Sequence, residues 1–216
     1  METGNAINVN RLKEVEKDLK RFLMLYKFGL EEIKTKINIL NEEFKYIHDY
    51  NPIEHVKSRI KSPESIFKKL SRKNLDISLY SIEKNIKDIA GIRIVCSFIS
   101  DIYIISEMLQ NQKDLKIIRY KDYIKNPKPN GYKSLHLILQ VPVFMSDGVE
   151  KVYVEVQIRT IGMDFWASLE HKIYYKYDKD VPQNLEDELK ETARIVSDLD
   201  KRMEGLNKEV TEIKEN

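Results

Sequence analysis

Lys151-Val152-Tyr153-Val154-Glu155-Val156-Gln157-Ile158 decides the fold. Apolar residues fall at every second position, the period of a strand with one face in a core. Val152, Val154, Val156 and Ile158 point one way; Glu155, Gln157 and, one step on, Arg159 point the other. The alternation recurs from Ser134 to Val141, where Leu135, Leu137, Leu139 and Val141 oppose Ser134, His136 and Gln140. It recurs again from Gly91 to Phe98, where Ile92, Ile94 and Cys96 oppose Arg93. If these strands pair, one sheet face carries Asp88, Arg93, His136, Glu155, Gln157 and Arg159. A solvated sheet face gives the same alternation. Solvated faces favour Lys, Glu and Thr, however, whereas Arg, His and Gln beside two separated carboxylates mark a site.

Working outward, Leu115 to Tyr120 reads as a short strand, and Asn126 to Gly131 as a loop from its Pro and Gly content. A second loop holding Pro142, Asp147 and Gly148 links the strands at 134–141 and 151–158. Ser62-Pro63-Glu64 starts a helix running to about Lys73, with Pro in its first turn, so the basic stretch from Arg59 to Arg72 is expected on one helix. Asp101 is expected to cap a helix ending near Gln110. Another helix runs from about Gly162 to Tyr177, and Pro182 opens the last. Leu12, Val15, Leu19, Phe22 and Tyr26, then Leu30, Ile33, Ile37, Leu40, Phe44 and Ile47 after Gly29, step at helical spacing. Leu189, Val196, Met203 and Val210 alternate with Leu185, Thr192, Leu199, Leu206 and Ile213 in a heptad pattern. That seam either lies on the chain's own core or packs against another subunit. The reading is a single domain of α+β class with a mixed sheet. Residues 1–50 form a helical segment, 51–180 the core and 181–216 a C-terminal helix.

Composition narrows the function classes. The chain has 216 residues, 37 Lys+Arg and 35 Asp+Glu, so any basic patch must be local. One cysteine, Cys96, excludes a disulfide framework and a cysteine-based zinc site, and it reads as core. No apolar stretch is long enough to span a membrane, and Met1 to Asn10 lacks the features of a signal peptide, so the expected location is the cytoplasm. None of the seven glycines forms a P-loop or a G-x-G-x-x-G turn. If the protein binds phosphates, it must use side-chain cations and metal.

Those cations are present. From Lys57 to Lys73, Lys57, Arg59, Lys61, Lys68, Lys69, Arg72 and Lys73 face the single acid Glu64, and Lys121, Lys125, Lys128 and Lys133 add a second excess. A charge run by itself is usually a solvated face. Beside two carboxylates able to hold Mg²⁺ through hard oxygen ligands, it becomes equipment for phosphoryl-type transfer, in which the protein mostly positions substrates and stabilises charge.

Four motifs then resemble one family in the right order. They are Lys87-Asp88-Ile89-Ala90-Gly91-Ile92-Arg93, Asn130-Gly131-Tyr132-Lys133-Ser134-Leu135-His136, Glu155-Val156-Gln157-Ile158-Arg159-Thr160 and Phe165-Trp166-Ala167-Ser168-Leu169-Glu170-His171. They look like the synthetase motifs of RelA/SpoT-type (p)ppGpp synthetases, over roughly residues 45 to 180. The short helical ends resemble small alarmone synthetases of the RelQ kind. The resemblance implies a nucleotidyltransferase-like α+β core. It also implies transfer of pyrophosphate from ATP to the 3′-hydroxyl of GDP or GTP, with GMP a further candidate acceptor, in the stringent response. It places Asp88 and Glu155 at Mg²⁺, with Glu155 also near the attacking hydroxyl as a base. Arg59 and Arg93 match the arginines that sandwich adenine. Lys61, Ser65, Lys69, Arg72 and Lys121 fall on the ATP side. Tyr132 matches the tyrosine that stacks on guanine; Lys128, His136, Gln157 and Asp164 match positions around the acceptor. A homotetramer is implied, and an allosteric alarmone or single-stranded RNA stays open as a further partner.

The chain departs from the pattern at three places. Lys121 stands where relatives tend to carry Arg, Asp164 where some carry Asn, and the stretch Asn74 to Glu83, read as part of the loop before Asp88, runs longer. His48-Asp49 matches the dipeptide of the hydrolase domain in larger members, but 216 residues leave no room for that domain, and His48 reads as a surface helix residue. Two other readings compete. One is an inactive nucleotide- or RNA-binding regulator of the same fold. The other is a nucleotidyltransferase acting on RNA ends, a class that clusters its acids at short spacing on one strand.

Overall fold

The computed structural model describes residues 9–176 and 181–215. The reading of residues 1–8 and of the helix end at Tyr177 lies outside them. Along the chain run α1 (Val9–His48), β1 (Ile53–Ile60), α2 (Pro63–Arg72), α3 (Leu79–Asn85), β2 (Ala90–Cys96), α4 (Ile99–Gln110), β3 (Lys116–Asp122), β4 (Leu135–Met145), β5 (Gly148–Thr160), α5 (Ile161–Lys176) and α6 (Gln183–Glu215). The five strands form one sheet in the order β1-β2-β5-β4-β3. Only β2 and β5 pair in parallel, so the sheet is mixed and the class is α+β.

The alternating strands put their aliphatic set on one face. Ile92, Ile94, Leu137, Leu139, Val154 and Val156 are all buried there. Tyr26, Leu30, Ile33 and Ile37 of α1 cover them, and Ile102, Ile105 and Leu109 of α4 join the same cluster. The N-terminal helix is thus part of the core. It runs unbroken through Gly29, where its backbone meets the sheet so closely that an added Cβ would lie 2.2 Å from Val152 Cγ2. Ala is intrinsically better than Gly in a helix by about 1 kcal/mol, but overpacking a buried aliphatic contact costs about 1–3 kcal/mol. Gly29→Ala is therefore expected to lower the melting temperature by roughly 2–6 °C. A higher melting temperature by calorimetry would show that Val152 turns aside freely.

Several expectations need correction. Arg59 is not on the helix with Arg72; it lies on β1, an edge strand paired only with β2. Apolar residues at 53, 56 and 60 hid that strand, because an edge strand facing water on one side and over half its length lacks a clean period of two. Asn74 to Glu83 is not simply a loop. Ser78 caps α3 there by accepting the Ser81 N–H at 3.1 Å. Asp101 is not the first cap of α4 but sits at its third residue, accepting the Phe98 N–H at 3.0 Å. Pro142 is inside β4, opposite Lys151, rather than in a loop. Since β3 ends opposite Gln140, Pro142 lies where β4 has a neighbour on one side only, the position where a missing N–H is tolerated.

The C-terminal seam divides. Leu189, Ala193 and Val196 pack with Trp166 and Tyr132, whereas Leu199, Met203, Leu206, Val210 and Ile213 stay exposed. In α1, Tyr26 is buried and Val15 exposed. Among the described residues, no helix is long and apolar enough to cross a membrane.

Candidate active site

Strand register builds the site. On the sheet face turned away from α1, Arg59, Gly91, Glu155, Ile138 and Arg119 form one row across all five strands. Lys57, Arg93, Gln157, His136 and Lys121 form the next. Residues far apart in sequence become neighbours because pairing joins them side by side at strand spacing.

Three depressions follow. A cavity of about 190 Å³ is lined by Lys57, Arg59, Gly91, Arg93, Glu155 and Gln157. A second, about 210 Å³, is lined by Arg119, Lys121, Tyr123, Lys128, His136 and Glu155. Glu155 borders both. A wider basin of about 580 Å³ lies against α2, between Lys61, Ser65, Lys68, Lys69, Arg72 and Asp88. Pro63 and the Ser62 cap start α2 at the end of β1, so the helix presents Lys69 to Asp88.

Lys69 Nζ donates to both Asp88 oxygens at 2.8 Å, and Lys61 Nζ lies 3.0 Å from Oδ2. Burial pushes the Asp88 carboxyl up, but the Lys69 and Lys61 ammonium groups outweigh it and hold its pKa below the ordinary value. Glu155 behaves alike. Burial and the Asp88 charge push it up, while His136 and the Gln157 amide pull it below the ordinary value. Gln157 Nε2 donates to Glu155 Oε2 at 3.0 Å, and His136 Nδ1 lies 3.5 Å from Oε1. The two carboxylates feel one another and both stay ionised.

That donor set fits Mg²⁺. Among the described residues there is no cluster of three or more His, Cys, Asp or Glu that would cage a metal. Mg²⁺ prefers one or two carboxylates and takes its remaining oxygens from water and substrate phosphates, so Asp88 in the cationic basin and Glu155 in the first cavity are residues that would hold it.

On the other flank, Tyr123, Tyr132 and His136 meet edge to face, with ring centroids 5.2 to 6.1 Å apart. The Tyr132 hydroxyl hydrogen-bonds His136 Nε2 at 2.8 Å, and Lys128 Nζ lies 4.4 Å from the Tyr132 ring centroid. The loop carrying Tyr132 is held by Gly131, whose φ of +88° favours glycine and whose added Cβ would stand 2.6 Å from Ala193 of α6.

The predicted residues therefore gather in three groups. Asp88, Lys61, Ser65, Lys69 and Arg72 share the basin. Arg59, Arg93, Gln157 and Glu155 share the first cavity. Lys128, His136 and Glu155 share the second, with Tyr132 against His136. Lys121, expected on the ATP side, lines the second cavity. Asp164, expected at the acceptor, lines neither; it is buried and accepts from Arg93 Nη1 at 3.0 Å and Arg159 Nη1 at 3.2 Å. Of the cavity-lining residues, sequence reasoning misses Arg119 and gives Lys57 no place beyond the basic run. The two-residue step from Arg119 to Lys121 would have pointed to Arg119; Lys57 lies on the strand that periodicity does not reveal.

Residues 58–180 match the region found in RelA / SpoT proteins. The chain is 55% identical over 206 residues to the GTP pyrophosphokinase YwaC of Bacillus subtilis, covering 95% of this chain and 98% of that one. It superposes on the small alarmone synthetase 2 of Bacillus subtilis with a TM-score of 0.81 at 54% identity, covering 89% of this chain and 99% of that one. Small alarmone synthetase 1 of the same organism, bound to its product pppGpp, gives a TM-score of 0.81 at 40% identity, covering 90% and 98%. With residues 58–180 matched and this likeness along nearly the whole chain, the protein belongs to the RelA/SpoT family.

Proposed function

We propose that the chain is a GTP pyrophosphokinase that moves the β,γ-pyrophosphate of ATP to the 3′-hydroxyl of GDP or GTP, forming ppGpp or pppGpp and releasing AMP. The observation that carries this reading is the place of Glu155 on the wall between two cavities, one framed by paired arginines and one by aromatic rings and lysines.

Arg59 and Arg93 offer planar cations to either face of adenine. Lys61, Lys69 and Arg72 take the triphosphate in the basin, where they offset its charge. Tyr132 and Lys128 receive the guanine nucleotide. Its 3′-oxygen then faces Glu155, which takes the hydroxyl proton as that oxygen attacks the β-phosphorus. The bond from the β-phosphorus to the bridging oxygen breaks, and AMP leaves with the electron pair. Asp88 and Glu155 would hold Mg²⁺, which would supply charge neutralisation on the phosphates. The basic residues stabilise the developing charge on AMP.

Incubation with labelled ATP, Mg²⁺ and GMP, GDP or GTP in turn tests the reading. AMP should form only when a guanine nucleotide is present. Release of inorganic pyrophosphate would indicate nucleotidyl transfer instead, and steeply salt-dependent RNA binding without turnover would indicate a regulator. The exposed Leu199–Ile213 stripe supports self-association, and the assembly proposed is a homotetramer; light scattering at the monomer mass would exclude it.

A further inference from the structure

Arg159 lies behind the row of site residues and is 4% exposed. Its guanidinium makes four hydrogen bonds. Nε donates to Ser134 Oγ at 3.3 Å and Nη1 to Asp164 Oδ1 at 3.2 Å. Nη2 donates to Gln157 Oε1 at 2.9 Å and to the Tyr132 hydroxyl. A planar fork can satisfy these partners together, and an ammonium cannot. Tyr132 and Gln157, which come from a loop and a strand, are thereby locked to one group.

Asp164 extends the lock to the opposite flank. Its Oδ1 accepts from Arg159 Nη1 and, at 3.0 Å, from Arg93 Nη1. Two guanidinium groups share one carboxylate oxygen. His55 Nε2 stands 4.0 Å from the other oxygen. Arg93 is the more exposed of the two arginines, with 32% of its side chain accessible against 5% for Arg159, and it alone lines the first cavity. A ligand that turns Arg93 toward itself leaves Oδ1 of Asp164 to Arg159. That tightens the lock on Tyr132 and Gln157.

We propose that Arg159 is a positioning residue that aligns Tyr132 and Gln157 for the acceptor, and that Asp164 couples this alignment to occupancy of the Arg59–Arg93 cavity by the donor nucleotide. The inference rests on the pyrophosphokinase reading. It adds a coupling between the two nucleotides: donor binding strengthens acceptor binding, and by linkage the reverse holds by the same factor.

The test uses the full chain in two measurements. In steady state, Arg159→Lys is expected to raise the KM for GDP by about tenfold or more while changing the KM for ATP less than about threefold. A merely structural role would lower the melting temperature and the active fraction and leave both KM values in place, or move them together; either result overturns the positioning role. In calorimetry, a non-hydrolysable ATP analogue is expected to tighten GDP binding to the wild type about fivefold or more, and Asp164→Asn should reduce this to about twofold or less. Asn keeps the shape and removes the charge, so this measurement stands if Arg159→Lys does not fold. Wild type without the effect, or Asp164→Asn with it intact, overturns the coupling. Wild type that makes no AMP with any guanine nucleotide sinks the functional reading and this inference together, whereas an active wild type with unselective variants sinks the inference alone.

Discussion

Glu155→Gln is expected to cut kcat for AMP formation by about 10³-fold or more, because it removes the proton acceptor and one charge from the proposed metal pair. The shape of the site survives. The carbonyl oxygen of the substituted side chain can still accept from the Gln157 amide, which donates to Glu155 Oε2 at 3.0 Å in the wild type. Losing the attraction of His136 is offset in part by losing the repulsion of Asp88. The melting temperature should therefore stay within a few degrees, and the Kd for GDP should change little. A variant retaining more than about a tenth of wild-type kcat would show that the 3′-hydroxyl loses its proton elsewhere, since a positioned base supplies about 10²–10⁴.

Asp88→Asn is expected to lower kcat/KM by about 10²-fold or more and to raise the Mg²⁺ concentration needed for half-maximal rate. Asp88 is the shared partner of Lys61 and Lys69, so the change also frees two cations in the phosphate basin. That consequence separates two roles. If Asp88 serves the metal, ATP binding measured with chelator present should hold or strengthen, because the uncompensated ammonium groups attract phosphate. If ATP binding without metal collapses along with turnover, Asp88 serves instead to aim the lysines, and its place in the metal pair is wrong.

Much of the site was legible because strands advertise their faces. Val152, Val154, Val156 and Ile158 show a period of two, and a period of two forces Glu155 and Gln157 to the opposite side. The same rule delivered Arg93 and His136 to that side. Legibility failed where one surface dominates an element. Ile53–Ile60 is an edge strand with most side chains half or fully exposed, so no alternation betrayed it, and Lys57 went with it. The surroundings of Asp164 and Lys121 were not legible either, because they depend on which neighbours come within reach rather than on the faces these residues occupy.

From sequence alone came the α+β class, the shared face of Arg93, His136, Glu155 and Gln157, and the need for side-chain cations in a chain without a glycine phosphate loop. These are local matters of periodicity and composition. Asp88, expected on that face, lies before β2 and lines the basin against α2 instead. Tertiary structure alone decided that β2 and β5 lie side by side in parallel, that Glu155 stands between two cavities, and that one oxygen of Asp164 is shared by Arg93 and Arg159. Strand order and the sharing of a counter-ion arise from packing between distant segments, and no periodicity along the chain encodes which segments meet.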